Sequence, residues 1–178
     1  MGLETFLQFE LTPRFAELLQ APFSHPDMIW MTLPLLVSTL FLQIYFGRYK
    51  QEKIGWNTAL SNSLVLFFVG VDAIRYLVSS HGLSFLSESA LFLKFAVVIL
   101  VILYGLLLTL LDFFHKIPPK VAFIFSSPAT VNILSYLNLA IVYTDIPIDG
   151  VTIIAGSLIF SLFFVACGVI RWVVPNAS

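Results

Sequence analysis

Residues 57–77 read NTALSNSLVLFFVGVDAIRYL. The run is apolar for the length a bilayer requires, yet it carries Asn57, Asn62, Asp72 and Arg75. Two amides and two opposite charges are tolerated in such a segment where neighbouring helices hide them from lipid. The stretch therefore predicts a transmembrane helix that belongs to a bundle. Wound at 100° per residue, Asn57, Thr58, Ser61, Asn62, Asp72, Arg75 and Ser79 fall in one arc about 140° wide. Leu60, Leu64, Phe67, Val71, Ile74 and Val78 lie opposite, interrupted by Ser63 and Gly70. The polar arc is expected to face protein and the apolar one lipid.

The rest of the chain agrees with a membrane setting. Of 178 residues 59% are hydrophobic and 11% charged, against about 45–50% apolar and about 25% charged in soluble domains. So few charges do not cover a water-facing surface, and an all-α integral membrane protein is the expected class. A span takes roughly 20 apolar residues. Five stretches have that length, roughly residues 28–46, 54–79, 90–114, 121–143 and 150–174. Charged or turn-rich breaks separate them: GRYKQEK, SHGLS, HKIPPK and TDIPIDG.

Charge predicts the orientation. Placing Arg48, Lys50 and Lys53 in the cytoplasm puts Lys116, Lys120 and Arg171 there too, six of the nine basic residues. The opposite side receives Glu4, Glu10, Glu17, Asp27, Glu88, Asp145 and Asp149 against Arg14. The N-terminus is expected outside and the C-terminus in the cytoplasm. Trp30, Tyr76 and Tyr143 then mark outer helix ends, and Tyr49, Trp56 and Trp172 inner ones. Residues 1–26 are too short and charged to span. Thr12 as N-cap and Pro13 at the first helical position predict a short amphipathic interfacial helix with Phe15, Leu18 and Leu19 on its apolar stripe, lying on the outer membrane face or packed over the extracellular ends of the bundle.

Residues 121–143, VAFIFSSPATVNILSYLNLAIVY, form the second unusual span. Pro128 removes a backbone donor and collides with the carbonyl of Ile124, so a helix break is expected there. Ser126, Ser127 and Thr130 are placed to satisfy the freed groups. Asn132, Ser135 and Asn138 share a polar arc with Ser127, and the two amides are expected to face Asn62 and Asp72. Asp72 and Arg75, three residues apart, can pair on one helix surface. Lys94 is expected either to join that pair or to snorkel outward. Asp112, beside His115 and Lys116, reads as an interfacial charge. Asn62, Asp72, Arg75, Asn132, Ser135 and Asn138 are thus the candidate intramembrane polar site, with Pro128 as the candidate break.

The same residues argue against catalysis. His25 and His81 lie on the opposite predicted side from His115, which disfavours a three-histidine metal site. HExxH, GxSxG and P-loop motifs are missing, as are paired carboxylates within a span. The lone Cys167 sits in the apolar run FFVACGVI and gives no disulfide framework. No cofactor, metal or nucleic-acid partner is expected. Two readings of function follow. In the first the chain acts in transport, as an ion or small-solute channel or carrier unit in a homo-oligomer. In the second it is a non-catalytic membrane subunit or assembly factor whose polar faces bind partner transmembrane helices. In both, the lipid bilayer is its surroundings.

Overall fold

The computed structural model describes residues 3–52 and 54–177. Lys53, one of the basic residues used for orientation, lies outside them. Among the described residues the secondary structure is wholly helical. Helix α1 (Leu3–Phe6) passes through a wide π turn (Leu7–Leu11) into α2 (Thr12–Ser24). Then come α3 (Pro26–Arg48), α4 (Trp56–His81), a 3-10 turn (Ser84–Leu86) and α5 (Ser89–Phe113). The chain ends with α6 (Pro119–Phe125), α7 (Pro128–Tyr143) and α8 (Gly150–Val173). Taking α6 and α7 together, five helices are long and apolar enough to cross a membrane.

The most polar of the five is also the most buried. The fourth, α6–α7, is the most polar and sits at the centre, with 67% of its central stretch buried against 17% for α3 and for α8. Side chains that need hydrogen bonds thus gather where protein surrounds them, and apolar side chains face outward.

Helices α4 and α5 form the tightest pair, and two glycines explain why. A Cβ on Gly70 would lie 2.3 Å from Cγ1 of Ile102. One on Gly105 would lie 2.8 Å from Cβ of Leu66 and 3.1 Å from the carbonyl oxygen of Ser63. Small residues let backbones approach in this way. The contact turns α4 away from its expected orientation. Its buried stripe is Ala59, Ser63, Leu66, Val69, Gly70, Ala73 and Leu77, so Ser63 and Gly70 lie at the centre of the interface rather than on a lipid face. Asn57, Ser61, Arg75 and Ser79 are exposed. The serines bear this cheaply, because Ser61 donates to the Asn57 carbonyl and Ser79 to the Tyr76 carbonyl within the same helix.

The N-terminal helix also departs from expectation. Thr12 is not a cap: its hydroxyl donates to the Leu7 carbonyl at 2.7 Å within a continuous helical run. The wide turn ahead of Pro13 relieves the ring's clash with the preceding turn. The apolar stripe divides, with Leu18 buried where Tyr136 of α7 donates to its carbonyl, and Leu19 and Phe23 exposed. Arg14 ties α2 to the start of α8, donating to Thr152 Oγ1 at 2.8 Å and pairing with Asp149 at 3.8 Å. Asp149 caps α8 by accepting from the Thr152 amide, and that bond, the largest influence on it, holds its carboxyl below the usual range.

Candidate intramembrane polar site

The helix break is built from side chains on three helices. Helix α6 stops at Phe125, and Ser127 caps α7 by accepting from the Thr130 amide at 3.2 Å, with Pro128 at the first helical position. Two carbonyls freed by the break have donors: Ile124 O accepts from the Thr130 hydroxyl at 2.7 Å, and Ser126 O from Asn62 Nδ2 at 2.9 Å. The Ser126 hydroxyl donates to Asp112 Oδ2 at 2.6 Å. Asp112, in the last turn of α5, is 1% exposed and so enclosed by protein rather than open to the surface. Its second oxygen, Oδ1, is buried with no hydrogen-bond partner among the described residues.

Farther along α7 the expected facing does not hold for Asn132. Asn132 points to α3, where Nδ2 donates to Thr39 Oγ1 at 2.8 Å and lies within reach of Ser38 Oγ and the Leu35 carbonyl. The physical reason is a cluster of acceptors on α3, whose Ser38 and Thr39 hydroxyls themselves donate to Leu35 O. Ser135 and Asn138 are buried, at 0% and 2% exposure. The Ser135 hydroxyl and both polar atoms of the Asn138 amide have no partner among the described residues.

At the far end of α4, Arg75 grips one oxygen of Asp72 at 2.7 and 2.9 Å. The Asp72 side chain is 13% exposed and that of Arg75 66%, so the cation reaches outward while the carboxylate stays in. The other Asp72 oxygen accepts from the Tyr143 hydroxyl at 2.8 Å. Tyr143 stacks on Tyr76 with ring centres 3.8 Å apart. Tyr143 ends α7, as its expected place at a helix end requires, and is 2% exposed. Lys94 neither joins this pair nor snorkels. It is 5% exposed, and its ammonium donates to the Thr144 carbonyl just past α7.

The six candidate residues thus occupy three separate places: Asn62 at the break, Asn132, Ser135 and Asn138 along α7, and Asp72 with Arg75 at the end of α4. Gln43 and Asp112 are among the buried hydrogen-bonding residues that fall outside that set. Gln43 of α3 accepts from Arg171 of α8, and Asp112 binds the break. A cavity of about 390 Å³ forms an apolar groove between α2, α3, α7 and α8 that passes Leu36, Asn132 and Phe163. It offers no polar path along the bundle. Among the described residues, no group of three or more His, Cys, Asp or Glu side chains could hold a metal ion. No family model matches the chain, and neither does any curated protein or solved structure.

Proposed function

We propose that the protein spans a membrane and acts in transport, as a carrier unit rather than an open pore. The observation that carries this reading is the break in the most buried span, joined by a hydrogen bond to the buried Asp112. A broken helix at protein-lined depth presents backbone ends and polar side chains that a solute or ion can exchange with. Asp112 Oδ1 at the break, and Ser135 and Asn138 farther along α7, are unspent hydrogen-bonding capacity. A purely structural bundle gains nothing from leaving such groups unpaired, at about 1–3 kcal/mol each. Apolar packing of Leu66, Val69 and Val98 across the middle argues for alternating exposure rather than a continuous channel.

The purified protein reconstituted in liposomes should pass an ion or small solute that protein-free liposomes retain. The subunit reading draws on a different observation: Ser157 and Ser161 lie exposed on α8, four residues apart, where another helix can approach closely. Mass in mild detergent separates the two. A self-contained species of this chain supports transport, and a second protein that co-purifies in fixed ratio supports the subunit.

For orientation we infer that the end carrying Arg48, Lys116, Lys120 and Arg171 is cytoplasmic. Gln51 and Ser84 are exposed at opposite ends of α4. Cysteines placed there one at a time, in a Cys167→Ala background, should react from opposite sides. An impermeant thiol reagent added to intact cells should modify Ser84→Cys and spare Gln51→Cys. Reaction of both, or the reverse pattern, overturns the assignment.

A further inference from the structure

We propose that Asp112 is a proton-binding site, carrying a proton on the oxygen that no side chain meets. The carboxyl is 1% exposed and takes a single hydrogen bond, from Ser126 Oγ to Oδ2 at 2.6 Å. Oδ1 is buried with no partner, and no Lys, Arg or His side chain among the described residues pairs with it within 4.0 Å. A carboxylate withdrawn from water needs a cation or several donors. One hydroxyl meets neither requirement, whereas a neutral acid leaves only one O–H to satisfy. The ionisable groups in electrostatic reach are Tyr104, on the same helix, and His115, in the turn just past its end. Helix α4 brings the neutral Asn62 to this place, and the break between α6 and α7 brings the neutral Ser126.

The position gives the proton a use. Ser126 is the joint between Asp112 and the break: its hydroxyl bonds the carboxyl and its carbonyl bonds Asn62. Loss of the proton would leave a buried anion beside the free ends of α6 and α7, so protonation and the geometry of the break are coupled. This names the ion for the transport reading and rests on that reading for its biological role.

Dicyclohexylcarbodiimide tests the site without any transport assay. The reagent partitions into apolar surroundings and adds to a protonated carboxyl: the acid proton goes to a carbodiimide nitrogen and the carboxylate oxygen to its carbon. The adduct then rearranges to a stable N-acylurea with no leaving group. Treated protein should carry this adduct at Asp112 near neutral pH, located by peptide mass spectrometry. Modification should fall at least tenfold as the pH is raised well into the alkaline range. Asp112→Asn should lose the adduct at that peptide. Ser126→Ala should keep it and extend modification to higher pH, because the lost hydrogen bond favours the carboxylate. A merely structural Asp112 would show no such displacement of the pH profile. Protein that stays helical yet is never modified at Asp112 overturns the proposal. So does protection by sodium, potassium or calcium chloride relative to choline chloride, which would make this a metal-cation site. Modified protein that moves nothing across vesicles would refute the transport reading and leave the proton site standing.

Discussion

Gly105→Leu is expected to leave almost no folded protein. The first added carbon already lies 2.8 Å from Leu66 Cβ and 3.1 Å from the Ser63 carbonyl oxygen. Neither can rotate away, because one is fixed to the main chain and the other belongs to it. Helices α4 and α5 must separate, opening the buried cluster of Leu66, Leu108 and Val131. Overpacking costs about 1–3 kcal/mol and occasionally more, and a leucine at this point belongs at or above ~3 kcal/mol. Gly105→Ala should be milder, since alanine returns about 1 kcal/mol of helix propensity. Gly156→Ala on α8 is the control. Its Cβ would meet only Leu137 methyls at 3.9 Å, so it should melt at or slightly above the wild-type temperature. Thermal unfolding in mild detergent decides. A Gly105→Leu protein that melts with the wild type would mean that α4 and α5 are not in contact.

Lys94→Glu should cost about 3–5 kcal/mol, the range for an uncompensated buried charge. The lysine ammonium donates to the Thr144 carbonyl at the C-terminal end of α7, where a helix dipole favours a cation. Asp145, Glu17 and Glu88 lie close enough to favour it further. A glutamate would place an anion against that carbonyl, the negative end of the dipole and those carboxylates. Lys94→Met should remain within ~1.5 kcal/mol of the wild type, because it removes the desolvation cost together with the bond. Equal melting of the Glu and Met variants would show that Lys94 is not held at the end of α7.

The contrast between helices that could and could not be read lies in which period dominates. Pro128 among Ser126, Ser127 and Thr130 is legible, since proline chemistry is local and the hydroxyls that repair the break are sequence neighbours. The face of α4 is less so. A wheel drawn through its polar residues points one way, but the stripe Ala59, Ser63, Leu66, Gly70, Ala73, Leu77 runs at alternating three- and four-residue steps, and close packing follows it. The same spacing on α5, Leu91, Lys94, Val98, Gly105, Leu108, Asp112, would have placed both charges in the interior. Asp112 instead took its reading from the adjacent His115 and Lys116. The partners of Asn132 were not legible, because its acceptors lie more than 90 residues away on α3.

The central claim is that the broken span and its buried carboxyl move an ion. Liposomes loaded with a fluorescent pH indicator and given a pH step test it most directly. Wild-type protein should collapse the step faster than protein-free liposomes, and Asp112→Asn, folded and inserted equally, should lose at least tenfold of that rate. Decay no faster than in protein-free liposomes, or an Asp112→Asn rate equal to the wild type, would contradict the account.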